Sequence, residues 1–329
     1  MKVIIPLAGK GTRLRPHTHT KPKPLIHIAG KPVLGHIIDK LEKLPIEEIV
    51  FITGDMEDQI KTYVTKNYPY KTAFIKQEKR LGDGHAISLA KEHIDKDVLV
   101  IFVDTLFDTD LSILNNFTDD GIVWTKEVED YQRFGVVVLN PEGHITKVVE
   151  KPTEPISKLC IIGLYYFKDG VNMMNTLHDN IKKGVKSKGE FRLADAIETM
   201  ITQGKKIQAP TVNVWADCGK PETLLETQQW LLDNGKHAVE PVENSVIIPP
   251  VYIEKGAQIQ NSIIGPYVSI ASGVQVKNTI IKNSIITNNA IVQEAQLKDS
   301  IIGEDAIVKY YSHKLNVGDH SEIIHENHN

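Results

Sequence analysis

The chain has 329 residues, of which 41% are hydrophobic and 24% are charged, a composition typical of about two globular domains that excludes a disordered chain or a disulfide-stapled mini-protein. Its 38 basic and 42 acidic residues give a net charge of −4. No global positive field therefore attracts nucleic acid or an anionic membrane, and any phosphate binding has to be local.

The cysteine content and the apolar runs bear on the compartment. Two cysteines, Cys160 and Cys218, exclude a cysteine-rich zinc site and favour a reducing compartment. The N-terminal apolar run is too short for a signal peptide, and no run approaches the roughly 20 residues that a membrane helix needs. We expect a cytoplasmic protein with neither a membrane nor a nucleic-acid partner.

Strand and helix patterns alternate over the first hundred residues. They predict strand 2–7, helix 32–44, strand 48–53, helix 56–66, strand 72–76, helix 83–95 and strand 98–103. Such alternation predicts βαβ units and a mostly parallel sheet. Strand patterns dominate 121–167, and helical patterns return at 169–182, 193–203 and 221–233. We expect an α/β domain with a mixed sheet, whose ligands lie beyond the carboxyl ends of the strands.

A repeat replaces the helix period from about residue 240. The pairs Asn244-Ser245, Asn261-Ser262 and Asn278-Thr279 recur every 17 residues. Apolar positions step by five or six residues, at Ile253, Ile259, Ile264, Ile270 and Val276. Hexapeptide spacing predicts a β-helix; the alternative, a β-sandwich, would alternate with period two. We place the domain boundary between 236 and 237, and interpret the last 17 or so residues as a polar exit strand and tail.

The strongest chemical signal follows the first strand. It is the string Leu7-Ala8-Gly9-Lys10-Gly11-Thr12-Arg13-Leu14-Arg15-Pro16, followed by Lys21-Pro22-Lys23-Pro24-Leu25. Glycine amides can bind phosphate oxygens, and Arg13 and Lys23 add positive charge. Leu14 replaces the third glycine of the dinucleotide fingerprint, and the Walker A pattern is not satisfied either. A Gly-Lys-Gly turn alone would fit a purely structural turn.

The whole string resembles the signature of the sugar-1-phosphate nucleotidylyltransferases. Further matches are Gln77 with Leu81-Gly82, Asp104, Phe134-Gly135-Val136, Glu150-Lys151-Pro152, Gly163-Leu164-Tyr165, Gly189-Glu190 with Asp195-Ala196-Ile197, and Trp215-Ala216-Asp217-Cys218-Gly219-Lys220-Pro221. With the hexapeptide repeat, the chain is most similar to long-form glucose-1-phosphate thymidylyltransferases over nearly its whole length. The resemblance implies a Rossmann-like nucleotidyltransferase domain over 1–236 and a left-handed parallel β-helix over 237–329.

The resemblance also implies a reaction. A sugar 1-phosphate, with glucose 1-phosphate favoured, attacks the α-phosphorus of a nucleoside triphosphate, with dTTP or UTP favoured, and releases pyrophosphate with the help of Mg²⁺. By the same resemblance Arg13, Lys23 and Asp104 are catalytic, and Asp104 and Asp217 are metal ligands. The implied substrate-binding residues are Leu7, Ala8, Gly9, Gly11, Thr12, Gln77, Gly82, Gly135, Glu150, Lys151, Gly163, Tyr165 and Trp215. We also expect a homo-oligomer, assembled through the β-helix.

Alternatives remain open at this level. Taken singly, Gln77 is compatible with a surface amide, Tyr165 with core packing and Glu150-Lys151 with a solvated pair. Three positions depart from the family pattern: Val103 where glycine is usual, Lys220 where threonine is usual, and Asp83-Gly84-His85 in place of small residues. Substrate preference is therefore not set by the resemblance.

Individual sequence features argue against other functions and other sites. Acyl transfer on the β-helix is disfavoured because residues 244–311 contain no histidine to act as a general base. A non-catalytic nucleotide-binding protein is disfavoured because the carboxylates and basic residues are all kept. We interpret His17-Thr18-His19 as an exposed loop rather than a metal site, the tail histidines His320, His325 and His328 as too scattered for a site, and Cys218 as a packing residue.

Overall fold

The computed structural model describes residues 1–235 and 242–324. The chain divides into two compact units, the first combining Met1–Gly9 with Ile38–Trp215 and the second combining Lys10–Ile37 with the chain from Ala216 onwards. The boundary between 236 and 237 and the tail residues His325 and His328 lie outside the described residues. The division into domains therefore stays a prediction.

Helices and strands occupy most of residues 2–234. In order they are β1 (Lys2–Pro6), β2 (His27–Ile28), β3 (Lys31–Pro32), α1 (Val33–Asp39), β4 (Glu48–Thr53), α2 (Glu57–Asn67), β5 (Thr72–Lys76), α3 (Asp83–Ser88), β6 (Val98–Ile101), β7 (Thr105–Asp108), β8 (Gly121–Glu127), β9 (Gly135–Leu139), β10 (Ile145–Glu150), β11 (Leu159–Phe167), α4 (Gly170–Lys183), α5 (Leu193–Thr202), β12 (Ile207–Gln208), β13 (Val214–Asp217) and α6 (Pro221–Asn234). Short 3-10 helices cover Thr12–Leu14, His17–His19, Lys23–Leu25, Lys91–His93, Leu111–Asn116 and Tyr131–Arg133.

The first unit is built on a mixed nine-stranded sheet. Seven strands follow the order β10-β9-β11-β6-β1-β4-β5, while β8 pairs with β11 and β12 pairs with β8. Strands β6, β1, β4 and β5 run parallel, and β11 runs antiparallel to both β6 and β8. The predicted α/β fold with a mixed sheet is confirmed.

The parallel strands are apolar because helices and loops cover them. Every residue of β4 and of β6 is buried, as expected for strands that are covered on both faces. Val50 and Val100 from the sheet share one core with Ile87 of α3, Met173 of α4 and Ile197 of α5. This core supports the carboxyl ends of β1, β4 and β6, where the sequence predicts ligand binding.

Two predicted helices are shorter than expected. The segment predicted as helix 32–44 is helical only to Asp39 and then continues in turns, in which Leu41 N–H bonds to the Ile38 carbonyl and Leu44 N–H to the Leu41 carbonyl. The segment predicted as helix 83–95 likewise becomes 3-10 after Ser88. Apolar spacing of three or four residues fits both kinds of turn, so the sequence pattern does not separate them.

The second unit contains a parallel β-helix. Its strands are β14 (Val246–Ile247), β15 (Val251–Ile253), β16 (Gln258–Gln260), β17 (Ile263–Ile264), β18 (Val268–Ile270), β19 (Gln275–Lys277), β20 (Ile280–Lys282), β21 (Ser284–Ile286), β22 (Ile291–Gln293), β23 (Gln296–Lys298), β24 (Ile301–Ile302), β25 (Ile307–Lys309), β26 (Asn316–Val317) and β27 (Glu322–Ile324). They form three parallel sheets, β14-β17-β20-β23, β15-β18-β21-β24-β26 and β16-β19-β22-β25-β27.

The five apolar repeat positions point into this β-helix, as predicted. Ile253, Ile259, Ile264, Ile270 and Val276 are all buried in one core. The segment interpreted as an exit strand and tail continues the stack, because β26 pairs with β24 and β27 pairs with β25. The described chain thus forms another coil as far as Ile324.

The Asn-Ser repeat has a structural cause in the corners. Asn244, Asn261 and Asn278 have φ between 45° and 51°, a left-handed conformation that asparagine tolerates better than most residues. The hydroxyl after each corner then joins neighbouring coils. Ser262 Oγ donates to the Gln260 carbonyl and accepts the N–H of Thr279 at 3.1 Å. The repeat therefore supplies both the turn and a hydrogen bond between coils.

Helix α6 packs on the β-helix within the second unit. Gln228, which is fully buried, donates from Nε2 to the carbonyls of Tyr267 and Ser284 and accepts from Ser269 Oγ. Gln229 donates to Asn283 Oδ1. These contacts satisfy a buried amide and attach the segment after Asp217 to the coils.

Across residues 1–235 and 242–324, we find no helix with the length and apolar character required to cross a bilayer.

Candidate active site

The segment Leu7-Ala8-Gly9 follows β1 in the first unit. Leu7 N–H donates to the Ile52 carbonyl of β4 at 2.6 Å. Arg80 donates from Nε to the Ala8 carbonyl and from Nη2 to the Asp55 carboxylate, both at 2.9 Å. The backbone after β1 is therefore held from β4 and from the loop after β5. Gly9 is exposed.

Gln77 and Gly82 lie together in the loop that joins β5 to α3. The buried Gln77 side chain donates from Nε2 to the Gly82 carbonyl at 3.2 Å and lies 3.0 Å from His85 Nδ1. Gly82 has φ of 122°, and a Cβ atom there would lie 2.2 Å from the Phe191 carbonyl oxygen. Only glycine allows this approach, so the loop is packed tightly against the chain before α5.

Asp83 connects the same loop to α5. Its carboxylate accepts from Arg192 Nη1 at 2.8 Å and from the Leu193 N–H at 2.7 Å. Arg192 also contacts Glu190 through Nη2 at 2.6 Å. Within the described part of the chain Arg192 Nε is buried without a hydrogen-bond partner. The departure at Asp83 is thus accompanied by an arginine that binds it.

Glu150 ends β10, directly opposite Gly135 of β9. A Cβ atom at position 135 would lie 3.0 Å from Glu150 Oε2, so glycine leaves room for the carboxylate. Burial raises the pKa of Glu150, against the opposing effect of the positive charges of Arg192 and Lys151. Lys151 is exposed, with Nζ 3.8 Å from Glu150 Oε1. The predicted substrate-binding pair is therefore one half-buried acid beside one exposed base.

Gly163 and Tyr165 lie in β11. Gly163 has φ of 83°, its carbonyl accepts the Phe102 N–H, and a Cβ atom there would lie 2.9 Å from the Phe102 Cβ. Tyr165 is buried in the core with its ring 5.6 Å from that of Phe102. Burial raises the pKa of its hydroxyl, and the nearby charges of Asp83, Glu150 and Asp104 add to the effect. Tyr165 therefore lies near Asp83, Glu150 and Asp104. These residues belong to the segments of the first unit that are predicted to bind the base, the sugar and the metal.

Two further predicted residues lie in the first unit. Asp104 is half-buried, three residues after the end of β6. The Trp215 ring meets that of Phe134 edge to face at a centroid distance of 4.8 Å, and the residue after Phe134 is Gly135. Trp215 Nε1 is buried, with no hydrogen-bond partner among the residues described.

The second unit holds Gly11, Thr12, Arg13 and Lys23. Gly11 is left-handed, with φ of 61°, and its carbonyl accepts from Leu14 N–H and Thr18 Oγ1. A Cβ atom at Gly11 would lie 3.0 Å from the Lys23 Cβ, so the two motif segments touch. Thr12 and Arg13 are exposed.

Asp217 lies beside Arg13 in this unit. Its Oδ1 accepts the Gly219 N–H at 2.7 Å. A Cβ atom at Gly219 would lie 2.7 Å from Asp217 Oδ1 and 3.3 Å from Arg13 Nη2. The second unit thus brings together Arg13, Gly219 and Asp217, and separately Gly11 and Lys23. Asp104 belongs to the first unit, so the two predicted metal ligands, Asp104 and Asp217, lie in different units.

The interpretation of His17-Thr18-His19 as an exposed loop was wrong for His17 and Thr18 and correct for His19, whereas that of Cys218 as a packing residue is confirmed. His17 is buried rather than exposed, because its Nε2–H donates to Asn316 Oδ1 at 2.6 Å from 299 residues away. Sequence spacing carries no information about such a contact. Cys218 is buried, as expected of a packing residue.

Two residues of the candidate site, Arg80 and Arg192, were not predicted from the sequence. Both lie within the matched motif segments: Arg80 is between Gln77 and Gly82, and Arg192 is between Glu190 and Asp195. Isolated arginines are usually solvated surface residues, so position alone gives little signal. The acidic Asp83 at a position where small residues are usual was the available clue to a buried partner.

The comparison with protein families decides the assignment. Residues 2–234 match the nucleotidyl transferase model, and residues 236–283 match the GlmU-like C-terminal hexapeptide model. The chain belongs to the sugar-1-phosphate nucleotidylyltransferases. The predicted resemblance is confirmed for this nucleotidyltransferase, and with it the left-handed parallel β-helix that follows the α/β fold.

Archaeal proteins are among the curated relatives of this nucleotidyltransferase. A protein of Methanocaldococcus jannaschii called Bifunctional protein GlmU is 39% identical over 78% of this chain and 61% of its own length. The protein of that name in Methanococcus aeolicus is 36% identical over 99% of this chain and 78% of its own. The UTP–glucose-1-phosphate uridylyltransferase AglF of Haloferax volcanii is 32% identical over 73% and 100%.

Solved structures of the same fold cover about seven tenths of this nucleotidyltransferase. A UDP-glucose pyrophosphorylase complexed with UDP-glucose superposes with a TM-score of 0.60 at 24% identity, over 71% of this chain and 98% of the other. A putative glucose-1-phosphate thymidylyltransferase from Bacillus anthracis has a TM-score of 0.61 at 25% identity, over 73% and 98%.

Proposed function

We propose that this nucleotidyltransferase joins UTP or dTTP to glucose 1-phosphate and releases pyrophosphate. UTP and glucose 1-phosphate are supported by the name of the Haloferax relative, and dTTP by the name of the Bacillus structure. We place the chemistry in residues 1–236 and give 237–329 a structural and assembling role in a cytoplasmic homo-oligomer.

The observation that carries the proposal is the arrangement in the second unit. Arg13 lies at Gly219 beside Asp217, and Lys23 lies against Gly11. Two polyanions must approach each other in this reaction, so repulsion is the main obstacle. Fixed cations at a loop of glycine amides reduce that repulsion and stabilise the charge that develops in the transition state.

The proposed chemistry is one in-line displacement. An oxygen of the sugar phosphate forms a bond to the α-phosphorus, and the bond from that phosphorus to the bridging oxygen of the β-phosphate breaks. The electron pair leaves with pyrophosphate. Arg13 and Lys23 neutralise the α-phosphate and the leaving group, while Lys151 aligns the attacking phosphate.

The first unit supplies the proposed recognition of base and sugar. Leu7, Ala8 and Gly9 contact the nucleotide through the backbone, and Gln77 and Gly82 recognise the pyrimidine edge. Glu150 accepts hydrogen bonds from sugar hydroxyls, a role that suits a half-buried carboxylate. Gly135, Gly163, Tyr165 and Trp215 shape the sugar pocket.

Nucleotidyltransferases of this family typically use a divalent metal, and we propose Mg²⁺. No cluster of three His, Cys, Asp or Glu side chains that would hold a metal occurs in residues 1–235 and 242–324. Mg²⁺ does not need a cluster of three protein ligands, because it binds one or two carboxylates and completes its coordination shell with phosphates and water. Asp104 and Asp217 supply hard oxygen donors. A bound Mg²⁺ would neutralise charge on the phosphates.

A substrate grid tests the proposal. Pyrophosphate release is measured with dTTP, UTP, GTP, CTP and ATP against several sugar 1-phosphates, with magnesium and with a chelator. We expect magnesium-dependent release with one favoured pair that contains UTP or dTTP. Nucleotide binding without release from any pair would favour a non-catalytic regulatory protein instead.

Two aspartate variants test the metal ligands. Asp104→Ala and Asp217→Ala should each abolish turnover while circular dichroism and Tm stay near those of the parent chain. Each removes a donor to the metal without changing the core. The exposed Asp130, in the loop before β9, gives the control variant Asp130→Ala. Turnover like that of the parent chain in both variants would contradict the assignment.

A bifunctional enzyme is the second candidate, favoured by the name of the Methanocaldococcus relative and by the hexapeptide match. The chain spans 61% of that relative's length, and residues 244–311 contain no histidine. Acyl transfer is tested by thiol release from acetyl-coenzyme A in the presence of amino-sugar phosphates. Release above the uncatalysed rate would add this activity to the proposed one.

A further inference from the structure

The loop between Arg13 and Lys23 contacts the last coil of the β-helix within the second unit. We define the anchor coil as residues 303–320. Lys21 Nζ donates to Glu304 Oε2 and Thr20 Oγ1 donates to Asp319 Oδ2, each at 2.5 Å. Almost three hundred residues of sequence separate the two sides of these contacts.

The contacts are partly shielded from water, with Thr20 exposed and the Glu304 side chain 35% exposed. The Lys21 and Asp319 side chains are only 18% and 7% exposed. Asp319 accepts from Thr20 through Oδ2, while its Oδ1 accepts the Glu304 N–H at 2.8 Å. One carboxylate therefore joins the loop to the backbone of the coil. Loss of one partner from such a shielded group leaves a charge unpaired, which costs far more than loss of an exposed pair.

His17 and Pro16 extend the contact towards Arg13. Burial lowers the pKa of His17, so the imidazole is neutral near pH 7 and its Nε2–H donates to Asn316 Oδ1. A Cβ atom at Gly318 would lie 3.0 Å from the Pro16 Cβ. The backbone of the coil is thus in close contact with the loop only three residues from Arg13.

The loop has little regular structure of its own to fix these positions. It contains only the 3-10 helices Thr12–Leu14, His17–His19 and Lys23–Leu25. An irregular segment held only at its ends retains conformational entropy that must be lost on substrate binding. Contacts in the middle of the loop reduce that cost before substrate arrives.

We propose that the anchor coil is a positioning element for catalysis, holding the loop that carries Arg13 and Lys23 through Glu304, Asn316 and Asp319. The roles of Arg13 and Lys23 rest on the proposed function, whereas the anchoring does not. The β-helix then contributes to the rate of nucleotidyl transfer through contacts inside one chain. Glu304, Asn316 and Asp319 are positioning residues, because they act on the loop rather than on the substrate.

A charge exchange in the full-length chain tests the proposal. Glu304→Lys places two cations together, and we expect kcat to fall about tenfold or more, because small displacements of charged groups cost that much. The double variant Lys21→Glu with Glu304→Lys restores opposite charges at this pair and should recover part of the lost kcat. Recovery is incomplete because Lys21 Nζ also lies 3.9 Å from Asp319 Oδ2, where the exchange places two carboxylates together. Glu304→Gln, a milder change, should lie between the two variants.

A neighbouring acid supplies the matched control. Asp305 follows Glu304 on the same coil, is more exposed, and pairs with His320, whose Nδ1 lies 3.2 Å from Asp305 Oδ2. Asp305→Asn removes the same charge without touching the loop, so kcat should stay within about twofold of the parent value. Equal losses in Glu304→Gln and Asp305→Asn would overturn the proposal, because they would indicate an effect of net charge.

Hydrogen exchange separates the anchoring from the activity. Peptides covering residues 10–26 should exchange faster in Glu304→Lys, slow again towards the parent rate in the double variant, and be unchanged in Asp305→Asn. Parent-like exchange in Glu304→Lys would overturn the proposal. If the parent chain released no pyrophosphate at all, the proposed function would fail, and the exchange of this loop would still decide the anchoring.

Discussion

At the scale of single residues, the charges of Asp83, Glu150 and Arg192 in the first unit interact with one another. Asp83 binds Arg192 and the N–H that opens α5, and Glu150 is held near both Arg192 and Lys151. The side chains of Asp83, Glu150 and Arg192 are largely shielded from solvent. Small changes here are therefore expected to alter stability and substrate binding together, with effects that differ from those of surface charges.

Removal of Asp83 should destabilise the fold. Asp83→Ala leaves the Arg192 Nη1 donor unpaired and the first N–H of α5 without its acceptor. We expect a loss of about 2 kcal/mol in unfolding free energy, measured by urea denaturation. Asp130→Ala removes the partner of Arg133 in an exposed pair and should cost less than about 0.5 kcal/mol. Equal losses in both variants would contradict a special role for the Asp83–Arg192 pair.

We expect the ionised Glu150 side chain to lower the stability of the fold and to strengthen substrate binding. Burial raises its pKa, so the folded chain holds this proton more tightly than the unfolded chain does. Ionisation therefore costs stability, increasingly as pH rises from the usual glutamate pKa through the raised value.

We accordingly expect Glu150→Gln to raise Tm near pH 8, with the difference vanishing below about pH 4, where the acid is protonated in both states. The same variant should raise KM for the sugar 1-phosphate about tenfold, because it removes a charged hydrogen-bond acceptor. A lower Tm near pH 8 would show that a partner stabilises the ionised carboxylate, contrary to this account.

At the scale of elements, the β-helix is joined by side chains as well as by its strands. Ser245, Ser262 and Thr279 occupy equivalent corners, and each N–H after the first donates to the hydroxyl of the coil before it. Ser300 does the same for the N–H of Leu315. The hydroxyls replace strand pairing at the corners, where the backbone turns away from its neighbours.

Ser262 tests this arrangement. Ser262→Ala leaves the buried N–H of Thr279 without its acceptor, and we expect a loss of about 1–3 kcal/mol in unfolding free energy. Ser262→Thr keeps the hydroxyl, as Thr279 does naturally, and should lose less than half as much. The exposed Ser312 in the last turn gives the control Ser312→Ala. A loss in Ser262→Ala no larger than in that control would contradict the inferred role.

At the scale of the whole molecule, the β-helix presents an exposed apolar row. Val246, Ile263 and Ile280 are paired in register on one sheet and are 56%, 38% and 44% exposed. Rows of exposed apolar side chains are costly in water and are commonly covered in assemblies. This row is a concrete candidate for the surface through which we propose that the chain assembles.

Light scattering tests the assembly. We expect the parent chain to have a mass that is a multiple of 36.8 kDa, and Ile263→Glu to lower it because the variant places a charge in the row. Gln275→Glu changes an exposed residue of another sheet and should leave the mass unchanged. A monomeric mass for the parent chain would contradict the proposed homo-oligomer.

The sequence by itself determined the fold class, the family and the motif residues. Apolar runs such as β4 and β6 predict buried parallel strands because nothing polar interrupts them, and the hexapeptide spacing predicts coils because each coil buries an apolar residue at each side. Helix ends were less well predicted. The α1 and α3 segments change from α-helical to tighter turns, which the same apolar spacing satisfies.

Only the tertiary structure decided which distant residues meet. Arg192 on Asp83, Arg80 on Ala8 and the anchor coil on the loop after Arg13 all join segments far apart in the chain. A sequence pattern records periodicity, which reflects local geometry and burial. A contact between Lys21 and Glu304 has no period, because it depends on how the chain between them folds. The same is true of His17, whose burial no local pattern indicates.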